Sequence, residues 1–89
     1  MNIYIITEME GCAGVLNFND WCEPAGRYYE LGKKILTDET NAAVAGFFDG
    51  GTSRIVVNDS HGHGGITLIL PLTAFRLGNT DNSPLPLPR

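Results

Sequence analysis

The chain reads as an α/β protein: one βαβ unit at the start of a mostly parallel sheet, followed by an irregular tail. Three observations predict this. "NIYIIT" (residues 2–7) and "RIVVND" (54–59) are apolar and β-branched with little polar alternation, as buried parallel strands are. Between them, "RYYELGKKILTDETNAAVAGFFD" (27–49) carries apolar residues at helical spacing. The stretch from 8 to 53 is ample for a right-handed crossover between parallel neighbours.

Each element has its punctuation. Residues 11–26 read as a loop, with Gly11, Gly14, Asn17, Asn19, Asp20, Pro24 and Gly26. In the helix, Tyr28, Leu31, Ile35, Ala42, Ala45 and Phe48 share one face, and Glu30 stands four residues before Lys34, a supportive pair. Thr37–Thr40 could cap and divide the segment. Gly50-Gly51 ends it. Trp21, Tyr28 and Tyr29 are expected to pack. From Ile66 the pattern is lost: "ITLILPLTAFRLG" has no clear period, and "NTDNSPLPLPR" carries Pro84, Pro86 and Pro88, which argues against strand or helix and for polyproline II. The division is therefore an α/β part over 1–65 and a tail over 66–89.

Composition narrows the partners. The chain has 89 residues and a formal net charge of -4, and its six Lys and Arg are scattered. Nucleic acid and anionic membrane surfaces both reward clustered positive charge, so neither is expected. No apolar run is long enough to span a bilayer, and "MNIYIITEMEG" lacks the basic start of a signal peptide. Cys12 and Cys22 have no CxxC spacing and read as reduced thiols of a cytoplasmic protein.

The chemistry gathers at the strand ends. The first strand runs into Glu8 and Glu10, and the second into Asp59 and His61. Side chains two apart project to the same side of an extended chain. Parallel neighbours bring their C-terminal ends to one sheet edge, where open α/β folds carry their sites. Two carboxylates and an imidazole suit zinc or a similar divalent ion. Taken singly, each has an ordinary reading: solvated carboxylates at a strand exit, a histidine in a glycine loop, turn bonds from Asp59. Their shared edge is what favours a metal. His63 reads as a loop residue. "GCAG" (11–14) lacks the spacing of a phosphate loop, and the carboxylates before it repel anions.

"EMEGCAGV", "YYELGKKILTDETNAAV" and "VNDSHGHG", in that order, resemble the N-terminal part of the D-aminopeptidase family of zinc metallopeptidases, over residues 1 to about 65. The resemblance implies an α/β hydrolase with a two-zinc centre that releases N-terminal D-amino acids from short peptides, a homo-oligomer in its intact form. It implies metal ligands at Glu8 (the bridging carboxylate), Glu10 and His61. From its place two residues before His61, Asp59 is expected to support that ligand from behind. The family usually has Asp where Glu8 stands. Its remaining zinc ligands, a histidine and a glutamate, and its catalytic histidine have no counterpart from Ile66 to Arg89, a stretch without His or Glu. The expectation is a truncated chain, inactive alone, with a non-family tail arising from a shifted reading frame or early stop. No catalytic residue is assigned within it. Two alternatives stand beside this: a non-catalytic metal-binding or interaction fragment, and a magnesium-dependent phosphatase of the haloacid dehalogenase type, which has an aspartate nucleophile where Glu8 stands.

Overall fold

The computed structural model describes residues 1–66, and beyond them the backbone of 75–77 and 84–85. Strand β1 (Asn2–Thr7) is followed by a short helix α1 (Phe18–Trp21), the long helix α2 (Tyr29–Asp49) and strand β2 (Arg54–Asp59). Two further strands, β3 (Phe75–Leu77) and β4 (Pro84–Leu85), complete a sheet of order β1-β2-β3-β4. β1 and β2 are parallel, in register from Asn2 against Arg54 to Thr7 against Asp59. β3 is parallel to β2, and β4 is antiparallel to β3. The expected βαβ unit is present, at the expected residues.

The core lies between α2 and one face of the sheet. Ile55 and Val57 of β2 are fully buried there with Met9, Leu36 and Val44, and Ile3 and Ile5 pack against them. On the opposite face Tyr4 is 55% and Ile6 66% exposed, while their β2 neighbours Val56 and Asn58 are half-buried. The reading of β1 as buried on both sides therefore needs correction. Its apolar residues alternate between a covered and an open face, because α2 covers one face only.

The inward face of α2 also differs from the expected one. Tyr29, Gly32, Leu36, Thr37, Thr40 and Val44 are buried, whereas Leu31 is 48% exposed and Ala42 and Ala45 are exposed. Gly32 explains the rotation. A methyl group there would stand 2.7 Å from Met9 Cε and 3.1 Å from the Trp21 carbonyl, so the absent side chain is what lets the helix come close. Thr37 and Thr40 continue this face, and the helix runs unbroken through the segment proposed as a cap. Glu30 pairs with Lys33 at 2.9 Å, not with Lys34, which reaches forward to Asp38 at 2.7 Å. Offsets of three and four both bring helix side chains together, and Lys33 also lies over the Tyr29 ring.

Two segments read as irregular contain structure. Asn17 caps α1 by accepting from the Asp20 amide at 2.8 Å. In the tail, β3 and β4 form where no strand was expected. Among the described residues β4 is the outermost strand, the place in a sheet where proline is tolerated. The polyproline reading of "NTDNSPLPLPR" (79–89) needs correction at Pro84–Leu85, which form β4, and for the rest of that stretch it lies outside the described residues. Trp21 and Tyr29 are buried as expected, while Tyr28 is 39% exposed with its ring 4.9 Å from that of Trp21.

Candidate metal centre

Glu8, Glu10 and His61 converge at the C-terminal ends of β1 and β2. One donor atom from each lies within 4.8 Å of the others. His61 Nδ1 is 3.2 Å from Glu8 Oε1 and 3.2 Å from Glu10 Oε1. The glutamate side chains are half exposed, and that of His61 is buried.

The way the two glutamates are brought together differs from simple strand alternation. β1 ends at Thr7, and Glu8 and Glu10 follow it into a turn. Met9 between them is fully buried against α2, which leaves its neighbours facing outward. The turn closes with the Cys12 amide on the Met9 carbonyl at 3.2 Å. Gly11 has φ of 88°, a conformation that a side chain would strain.

His61 is positioned from the other strand. The Ser60 amide donates to the Thr7 carbonyl at 3.1 Å, carrying the β1–β2 pairing to the edge of the site. The following loop turns back by a bond from the Gly64 amide to the His61 carbonyl. Asp59 holds that loop. Its buried carboxylate accepts from the Gly65 amide at 3.0 and 3.1 Å and from the Ile66 amide at 3.0 Å. These bonds go to the loop backbone, which makes its support of the site a matter of loop shape. Tyr29 adds to the same restraint, its hydroxyl lying 2.8 Å from the His63 carbonyl and 2.6 Å from that of Gly64. His63 itself lies with its ring centroid 6.3 Å from that of His61.

The partner that sequence reasoning missed is the Cys22 carbonyl, 2.6 Å from His61 Nε2. A carbonyl only accepts, so Nε2 carries the proton, and in the neutral ring Nδ1 presents its lone pair. That lone pair faces two carboxylate oxygens. Three electron-rich groups meet there, an arrangement that calls for a proton or a metal ion between them. Burial alone would lower the His61 pKa, but the bond to the Cys22 carbonyl and the Glu8 and Glu10 carboxylates outweigh it and raise it. A backbone carbonyl leaves no mark in a sequence. The nearest signal was Asn17 with Asp20, the cap of the helix that delivers Cys22.

A groove of about 350 Å³ opens beside the glutamates, lined by β1 and by Leu36, Glu39 and Thr40 of α2. Cys12 borders it and donates to Glu39 at 3.4 Å. Burial and this carboxylate push its thiol up to about 11. Both cysteines are free and buried. Among the described residues, no helix is long and apolar enough to cross a membrane.

The acidic and histidine cluster stands at the C-terminal edge of the parallel strands, where open α/β folds carry their sites. The sequence model of the D-aminopeptidase family of peptidases matches residues 1–72, and the chain belongs to that family. The matched segment contains Glu8, Glu10 and His61. The chain is also similar to the D-aminopeptidase of Bacillus subtilis (strain 168), 36% identical over 61 residues, an alignment that covers 68% of this chain and 22% of the relative. The chain thus spans less than a quarter of the length of that relative. No solved structure matches it significantly.

Proposed function

We propose that the chain supplies the first three ligands of a zinc centre in an aminopeptidase that releases N-terminal D-amino acids from short peptides. The observation that carries this is the meeting of Glu8, Glu10 and the Nδ1 lone pair of His61, with the other ring nitrogen committed to Cys22. The donor set fits zinc, which takes imidazole nitrogen and carboxylate oxygen. Bound there, zinc would polarise a scissile carbonyl and lower the pKa of a water.

The roles of the chain's own residues follow from their contacts. The Cys22 carbonyl fixes the His61 tautomer and the direction of its lone pair. Asp59 and Tyr29 hold the loop that carries the ring. Met9 anchors the turn from which Glu8 and Glu10 project. The groove between β1 and α2, about 350 Å³, is lined by these carboxylates. Negative charge there favours the positive amino terminus of a substrate.

The described residues give one three-donor set, whereas catalytic zinc needs three protein ligands per ion and an open position. A two-ion centre therefore requires ligands beyond these three. We infer that the 89-residue chain binds zinc but does not turn over D-amino-acid peptides by itself. Calorimetric titration with zinc chloride tests the site. Expected is saturable binding, weakened at least tenfold by Glu10→Gln and by His61→Ala. Equal affinity in both variants would remove the assignment. Incubation of the zinc-loaded chain with D-Ala-D-Ala tests the second part, and turnover above a free-zinc control that His61→Ala abolishes would overturn it.

A further inference from the structure

A second opening adjoins the groove. It is a pocket of about 140 Å³ walled by Val15, Leu16, Phe18 and Cys22. Glu10 and Gly11 line both the pocket and the groove, so the two meet at this turn. The pocket touches the metal centre at two points. Glu10 is one of the three donors, and Cys22 is the residue whose carbonyl holds His61 Nε2 at 2.6 Å.

The walls are built. The Val15 amide donates to the Cys12 carbonyl at 3.0 Å, and the Cys22 amide to the Phe18 carbonyl at 2.8 Å. Asn17 is engaged with Asp20 through both ends of its side-chain amide, at 2.8 and 3.4 Å. The Glu10 carboxylate is then the charged group that the pocket offers to a ligand. Yet Leu16 is 79% and Phe18 45% exposed, and neither belongs to the core. Their cover is a ligand with an apolar body and a positive centre close to it. Anions are repelled by Glu10. The amino-terminal residue of a peptide has both features, since its ammonium group and its side chain leave the same carbon. Size narrows the side chain. A single water needs about 10–15 Å³ of such space, so an alanyl methyl leaves most of the pocket empty, whereas a leucyl group fills more of it.

We propose that Val15, Leu16, Phe18 and Cys22 form the subsite for the side chain of the substrate's amino-terminal residue, and that this side chain is apolar and of leucine size. The proposal rests on the aminopeptidase reading above and adds what the site selects. One methylene in an apolar pocket changes selectivity by about 10- to 200-fold. The exposure of Leu16 leaves this pocket open on one side, so the low end of that range applies.

The experiment is an NMR titration of the zinc-loaded chain with D-leucine amide and, separately, with D-alanine amide. D-leucine amide should bind at least tenfold more tightly and shift the backbone resonances of Val15, Leu16 and Phe18. Leu16→Ser, at a residue already in solvent, should cut the preference below threefold and leave zinc affinity unchanged. Leu31→Gln, on the exposed side of α2, should leave the preference intact. Zinc binding is measured first by calorimetry, and its failure counts against the zinc reading alone. The amide comparison is therefore repeated in metal-free buffer, where the ammonium group meets the Glu10 carboxylate, and the same preference is expected there. Equal affinity for the two amides in both buffers, no binding of D-leucine amide in either, or a preference that survives Leu16→Ser overturns the proposal. So does a chain that dimerises alone and becomes monomeric on Leu16→Ser, which makes a second copy the occupant of the pocket.

Discussion

His61 and Cys22 are joined at 2.6 Å between the imidazole Nε2 and the backbone carbonyl, and this bond decides which nitrogen faces Glu8 and Glu10. The proton sits on Nε2 because its partner can only accept. Nitrogen-15 NMR of the histidine rings should therefore show the Nε2–H form in neutral His61. Adding zinc should shift the Nδ1 resonance and leave the Nε2–H in place. A proton found on Nδ1 of the neutral ring would contradict the geometry.

Asp59 should matter more to stability than an ordinary strand-end acid. Its carboxylate accepts from two backbone amides, and it is 4% exposed. Asp59→Ala leaves both amides without that acceptor in a buried loop. Each such loss costs about 1–3 kcal/mol. The variant should lose roughly 2–4 kcal/mol in urea unfolding, a large share of what a chain this short can hold. A loss below about 0.5 kcal/mol would show that the loop finds other partners.

Much of this arrangement was legible because it depends on side-chain pattern. The two β-branched runs mark β1 and β2, and the chemistry at their ends names Glu8, Glu10 and His61. What was illegible depends on the backbone or on missing atoms. Cys22 acts through its carbonyl, which every residue has. The inward face of α2 turns on Gly32, which contributes no hydrophobic signal and works by leaving space for Met9 and Trp21. Asp59 looked like a support for His61 from its position, but its bonds go to amides six and seven residues ahead, and sequence gives no view of a loop closing. The exposure of Tyr4 and Ile6 was hidden because a covered and a bare parallel strand have the same composition.

Two glycine-to-alanine substitutions should act in opposite directions. At Gly26 a methyl group would stand 2.6 Å from the Asp20 carbonyl oxygen and 2.7 Å from that of Asn19, so backbone must move. That backbone belongs to α1, which delivers Cys22 to His61. Gly26→Ala should cost about 1–3 kcal/mol and weaken zinc binding as well. At Gly46, near the end of α2, nothing lies within 4 Å and the residue is exposed. Gly46→Ala should gain roughly 0.5–1 kcal/mol from helix propensity alone and leave zinc affinity unchanged. Thermal unfolding and zinc calorimetry of the pair check both signs.

Tyr29 supplies the pH-dependent prediction. Its hydroxyl is buried and lies within hydrogen-bonding distance of the His63 and Gly64 carbonyls, bonds that only the protonated phenol can donate. Burial raises its pKa above the ordinary value of 10, Lys33 opposes the shift, and Asp59 and Glu30 add to it. The folded chain therefore holds this proton more tightly than the unfolded one. The stability this linkage contributes is fully present below pH 10, and it is lost as pH rises through the higher folded value. Tyr29→Phe removes the hydroxyl and its bonds. At pH 7 it should be less stable than the unaltered chain by about 1–2 kcal/mol. Above pH 10 the gap between the two should narrow, because only the unaltered chain loses the contribution of Tyr29. The other alkaline-titrating groups are common to both proteins and cancel in the difference. Urea unfolding at pH 7, 9 and 10.5 measures the gap directly. A gap that stays constant or widens with pH would show that the phenol is not held by these carbonyls.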